Sequence, residues 1–297
     1  MNDVVLPVSV SISGWWFFTG VILWLVHRPA SWHRWVAGVW TLLLVPGMLA
    51  IHISAADVSP TGTVQAFALS LFVWGWLELT YLTGLLAGPA VHVCPGESSL
   101  FERLSRGLAT CLHHELATIA LLSMLSILSW GLPNHTAVWT FAVLLLMRWS
   151  AKLNLVLGVR NYNQQWLPSH LHYLDSYIPR RRMNALFPFS LLIGAGVSYL
   201  IFEGFQSSVA LGERISLLLV GTLTVLGTLE HVFLMLPVGE ARLWSWAMPT
   251  AAGFTKSSEG ANARVSSRPR TAGGALPDFP GDTALRRSRN SHSTGQV

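Results

Sequence analysis

The sequence predicts an all-α membrane protein, a polytopic bundle of about seven transmembrane helices. Three observations carry that expectation. Of 297 residues, 52% are hydrophobic and only 11% charged, where a soluble chain carries about 25%. Apolar stretches of roughly 20 residues, the length that crosses a bilayer, recur seven times. The basic residues are also segregated between alternate connections.

The predicted spans, in order, are Val8–Val26, Trp35–Ile53, Val64–Ala87, Leu108–Trp130, Thr136–Leu157, Ala185–Phe202 and Ile215–Leu236. The first follows Met1-Asn2-Asp3, a leader without positive charge, and no small-residue cleavage site comes after it. It therefore reads as a resident helix and not a signal peptide. Barrel strands would be about 10 residues long and would alternate in polarity. These stretches are longer and apolar all round, so helices are expected. Residues 1–248 form the predicted helical domain. From 249 to 297 the chain turns to Arg, Ser, Gly and Pro, too poor in large apolar side chains to offset ordering entropy, and a disordered tail is expected. Cys94 and Cys111 cannot build a disulfide framework.

Orientation follows from Lys and Arg. With the N-terminus outside, the inner segments hold Arg28, Arg34, Arg103, Arg106, Arg160, Arg180–Arg182 and every basic residue after Leu236. Only Arg148, Lys152 and Arg214 fall elsewhere, as the positive-inside bias requires. The pI near 9.7 is then a consequence of topology, and no nucleic-acid partner is implied. Trp15, Trp16, Trp130 and Trp139 are placed towards the outer boundary, with Trp32, Trp35, Trp166, Trp244 and Trp246 at or beyond the inner one. Within the basic loop 159–184, Leu167, Leu171, Leu174 and Ile178 fall at helical spacing behind Pro168. That predicts an interfacial cytoplasmic helix on anionic lipid, with His170, Arg180, Arg181 and Arg182 available for docking a partner.

Charged groups inside the predicted spans carry whatever chemistry the chain has. Glu78, Glu115, Glu230, Arg148, Lys152, His113, His114 and His231 all lie there, and a charge at bilayer depth costs at least about 2.5–3.5 kcal/mol. Counted from the helix ends, the Glu and Arg positions lie about 10–15 Å below the inner surface. Two readings stand. A self-neutralising network would set three carboxylates against Arg148 and Lys152. A ligand site would instead draw Glu78, His114, Glu115, Glu230 and His231 around a transition metal, or use an imidazole as axial ligand to a tetrapyrrole. Di-iron bundles space Glu-x-x-His, and the adjacent His114-Glu115 and Glu230-His231 do not match. His113 is expected to be a packing neighbour, and His52 and His135 to be solvated near the outer boundary. No phosphate-cradling glycine loop, G-x-S-x-G or H-E-x-x-H occurs.

These segments carry a family resemblance. Trp74-Gly75-Trp76-Leu77-Glu78, Leu82-Thr83-Gly84 and His114-Glu115-Leu116-Ala117 resemble the PuhE family, known as photosynthetic complex assembly protein 2. The likeness continues through Met147–Leu155 (Arg148, Lys152 and Asn154 included), Leu157-Gly158-Val159, Leu167-Pro168, His170-Leu171, the Arg180–Arg182 run, Met183-Asn184 and Leu229-Glu230-His231, closing at Leu236-Pro237. The resemblance implies an inner-membrane protein of anoxygenic phototrophs. It would assist assembly of the reaction centre and core light-harvesting antenna, or supply their bacteriochlorophyll, with subunits of those complexes or pigment-synthesis enzymes as partners. It carries over no catalytic residues. An intramembrane metal- or tetrapyrrole-dependent enzyme and a small transporter remain as alternatives. Transporter sites lie near the midplane and are often built on inverted repeats, whereas this polar layer is off-centre and no repeat is visible.

Overall fold

A computed structural model describes residues 2–162, 167–236 and 243–248. Its helices are α1 (Asn2–Val26), α2 (Ala30–Ala55), α3 (Pro60–Leu82), α4 (Leu100–Leu128), α5 (Thr136–Leu157), α6 (Leu186–Ser207) and α7 (Leu211–Met235), with a 3-10 helix at Ser169–Tyr177. All seven α-helices are long and apolar enough to cross a membrane. Among the described residues there are no strands, only a bridge between Val159 and Arg180. The expected tail, together with Gln164, Gln165, Trp166 and Pro237, lies outside the described residues.

Local chemistry sets the boundaries. The third helix starts where the Ser59 hydroxyl accepts from the Gly62 N–H behind Pro60. It ends at Leu82, short of the expected Ala87, because the chain turns through Gly84 at φ +75°. The fourth begins eight residues before its apolar stretch, since Ser99 and Glu102 form a reciprocal capping box. At the other end of the bundle Asn134 donates to the Ser54 and Asp57 carbonyls and accepts from Thr136, tying the α4–α5 connection to α2.

Helix α3 is the most buried span and packs against α1, α2, α5 and α7, while α6 leans on α7 at the periphery. Interhelical polar contacts lock the register, as they do between membrane helices. Ser11 donates to the Leu219 carbonyl and Ser70 to that of Ala137. Gly88 lies so close to α4 that a Cβ there would sit 1.9 Å from the Ala109 carbonyl oxygen. One end of the bundle gathers Arg28, Arg34, Arg103, Arg106, Arg160 and Arg180–Arg182, and we refer to it as the basic end.

The orientation inferred from charge gives a direct expectation. Alkaline-phosphatase fusions after Pro60, Asn134 and Gly212 should be active, and those after Gly96, Ser169 and Ser257 inactive. Reversed activity at two interior loops would overturn the N-out assignment.

Candidate functional site

Helices α1, α3, α4, α5 and α7 line a half-open chamber of about 810 Å³, within the range of small-molecule sites, with Leu108 and Leu116 of α4 and Leu153 of α5 exposed at its edge. Its walls are mostly apolar and include Trp15, Trp74, Trp149 and Trp244. Glu78, Glu115, Arg148, Lys152 and Glu230 all line it, so one cavity gathers the charged layer.

The charges are arranged in pairs. Arg148 Nη2 donates to Glu78 Oε2 at 2.5 Å across the α5–α3 interface, and Lys152 Nζ donates to Glu115 Oε1 across α5–α4. Arg148 and Lys152 are one turn apart on α5, so a single helical face supplies both cations. Trp149 Nε1 also donates to Glu115, at 2.5 Å, and Lys152 lies 5.1 Å from the Tyr81 ring centroid. Trp15 Nε1 donates to Glu230 Oε1 at 2.8 Å, bridging α1 and α7. Two buried polar atoms of this floor, Glu78 Oε1 and Arg148 Nε, have no hydrogen-bond partner among the described residues.

The histidines stand apart from this arrangement. His231 Nδ1 lies 2.7 Å from the Gly227 carbonyl, so it carries the proton, and Nε2 lies 2.8 Å from the Ser150 hydroxyl. No lone pair is left over for a metal. The ring of His114 is buried against Tyr81 with centroids 4.7 Å apart, and its Nδ1 is unpartnered among the described residues. Among those residues no three His, Cys, Asp or Glu side chains are grouped to hold a metal ion. The expected ligand set of Glu78, His114, Glu115, Glu230 and His231 is therefore not assembled as one centre. Asn154, also a predicted site residue, is buried beside the chamber. It donates to the Ser150 carbonyl and Ser190 Oγ, while Asn184 donates to the Asn154 and Gly158 carbonyls and joins α5 to α6. His113 is exposed on the outside of α4, not a packing neighbour.

The basic loop differs from expectation in an informative way. Instead of an α-helix lying on lipid, Ser169–Tyr177 is a 3-10 helix. With three residues per turn it directs Leu171, Leu174 and Tyr177 inward. Leu167, Leu174, Tyr177 and Ile178 line the chamber at the basic end. Tyr177 donates to the His92 carbonyl and the Ser176 hydroxyl accepts from the Cys94 N–H. Arg180 pairs with Asp175 at 3.6 Å and stacks 5.4 Å from the Tyr162 ring centroid. The Arg181 stem covers Gly158, whose φ of +110° needs a residue without a side chain. Arg182 is exposed. His170 packs at the Gly84 turn, and burial holds its imidazole below the usual pKa, with His33 and His172 acting in the same direction. Burial raises the Tyr162 phenol, and Asp175 adds to the rise.

Sequence reasoning missed Tyr81, Trp149 and Trp244. Tyr81 was legible, since it follows Glu78 by three residues on one helical face. Trp244 was placed at the boundary opposite Trp16. In the structure its Nε1 donates to the Trp16 carbonyl at 3.0 Å, so the two lie at one depth.

Comparison with known proteins places the chain. Residues 1–254 match a family described as a protein of unknown function, DUF3623. The chain belongs to this DUF3623 family. A relative in Rhodobacter capsulatus, an uncharacterised 30.4 kDa protein in the puhA 5′ region, is 40% identical over 255 residues. That match covers 84% of this chain and 93% of the relative. The DUF3623 match extends across the seven helices and the chamber. No solved structure matches the chain.

Proposed function

We propose that this protein is an inner-membrane assembly factor of the PuhE type. It serves the photosynthetic reaction centre and core antenna by holding bacteriochlorophyll, or a related tetrapyrrole, on its way to them. The observation that carries this reading is the chamber, a large apolar cavity within the membrane with a charge-paired floor. The resemblance across roughly residues 8–246 and a relative in the puhA 5′ region support the photosynthetic setting.

The residues present fit the macrocycle of such a pigment in wall chemistry. Indole faces suit a flat macrocycle, and the partly accessible Arg148 and Lys152 side chains supply donors for its peripheral polar groups. They do not fit histidine ligation of its central metal, because His231 is saturated and His114 does not line the chamber. Retention therefore depends on shape and hydrogen bonding. Binding of that kind suits hand-over, since release breaks no metal–protein bond.

A clean deletion should lower the near-infrared absorbance of assembled reaction centre and core antenna while leaving aerobic growth intact. Normal absorbance across light and oxygen regimes would refute the assignment.

A further inference from the structure

The chamber is not sealed from the bilayer. Leu108, Leu116 and Ile119 of α4 and Leu153 of α5 line it, and each is also about half exposed on the surface of the bundle. Both helices are long and apolar enough to be membrane spans, so along this edge the interior of the chamber meets hydrocarbon and not water. Lipid tails are as apolar as leucine, and the edge suits them. Polar groups stand directly beside it. Leu116 follows Glu115 and Leu153 follows Lys152, the two partners of the α4–α5 ion pair. The Lys152 side chain stays partly accessible, and an ammonium has three N–H donors, of which the hydrogen bond to Glu115 uses one. On the α1–α7 side the lining instead includes the exposed Glu230 carboxylate, against which an alkyl chain gains nothing.

We propose that the α4–α5 edge is a tail subsite, and that the chamber takes a pigment esterified with a long-chain alcohol. The macrocycle lies inside, the ester carbonyl accepts from Lys152 Nζ, and the tail leaves past Leu116, Ile119 and Leu153 into the bilayer. This rests on the chamber holding a tetrapyrrole, as proposed above, and specifies which form it holds. A sealed chamber would have to house the tail. A half-open one houses the head alone and leaves the tail in a solvent that already suits it. The ester follows from the charges. Arg148 and Lys152 are already paired with Glu78 and Glu115. A tail-free pigment carries a free carboxylate at the same position, and its binding would displace one of those partners or bury an unmatched charge. The reaction that supplies this ligand is therefore esterification of a pigment carboxylate with a long-chain alcohol, and the protein acts after that step.

The test uses the full chain with three probes of one macrocycle, added in detergent before assembly into lipid nanodiscs. They are bacteriochlorophyll a, which carries the long-chain ester, the methyl ester of bacteriochlorophyllide a, and bacteriochlorophyllide a itself, the free acid. Occupancy is read from co-purifying pigment and corrected with empty nanodiscs. The two esters should bind comparably, and the free acid about tenfold more weakly, the order expected for an unmatched buried charge. Leu116→Trp with Leu153→Trp fills the edge. It should weaken bacteriochlorophyll a about tenfold, as overpacking does, and leave the methyl ester within about twofold. Equal loss of both esters, or loss of neither, would overturn the tail subsite, and a free acid bound as well as the methyl ester would overturn the selection for esters. If the double variant retains less phospholipid while bacteriochlorophyll a is unmoved, the edge belongs to phospholipid and the proposal fails. Should that variant not accumulate, Leu153→Trp alone is read in the same way. Absence of binding by all three pigments would instead remove the pigment-holding reading, and this inference with it.

Discussion

Glu78→Gln should sharply reduce the amount of protein in the membrane, and adding Arg148→Met should restore much of it. Glu78 is buried, and its Oε2 receives the Arg148 guanidinium at 2.5 Å. Neutralising the carboxylate leaves the arginine without a counter-charge on the chamber wall, a change that typically costs about 3–5 kcal/mol. Removing both charges together abolishes the desolvation cost of each, so the double variant approaches the parent. Abundance and thermal unfolding in detergent, compared across the two single variants and the double, give the coupling directly. Additive losses would show that the two groups do not depend on one another. Lys152 and Glu115 form a second pair one turn along α5, and Glu115 also accepts from Trp149. For that reason Lys152→Met should be milder than Arg148→Met.

The fold was legible because its cause is local. Twenty apolar residues in succession satisfy their own backbone only as a helix in lipid, and each of the seven stretches maps to a helix. Boundaries were less legible where capping extended a helix beyond its apolar run, as at Ser99–Glu102. The charged layer was visible from depth alone, since Glu78, Glu115, Arg148, Lys152 and Glu230 all line one chamber. Pairing within it was not visible, because depth says nothing about the rotation of one helix against another. Helical spacing in the basic loop suggested a helix on lipid, yet the loop folds under the bundle as a 3-10 turn held by Tyr177, Ser176 and Arg180. Trp244 reads from sequence as a boundary tryptophan, whereas it packs against the middle of α1 beside Trp15 and Trp16, a contact that composition alone does not reveal.

Ala151 lies on the chamber face of α5 between the two cations, and its side chain points into free volume. Replacing it with Trp adds a rigid indole where a pigment would rest, keeps both ion-pairing side chains, and leaves the α5–α7 packing of Met147 on Gly227 in place. Overpacking penalties arise in filled cores, and this site is not filled, so the variant should accumulate like the parent. The deciding measurement is the near-infrared absorbance of the assembled reaction centre and core antenna in a deletion strain expressing Ala151→Trp at parental level. The chamber account predicts absorbance close to that of the deletion itself, with Ala151→Ser restoring it fully. Parental absorbance from Ala151→Trp would contradict the claim that assembly proceeds through the chamber.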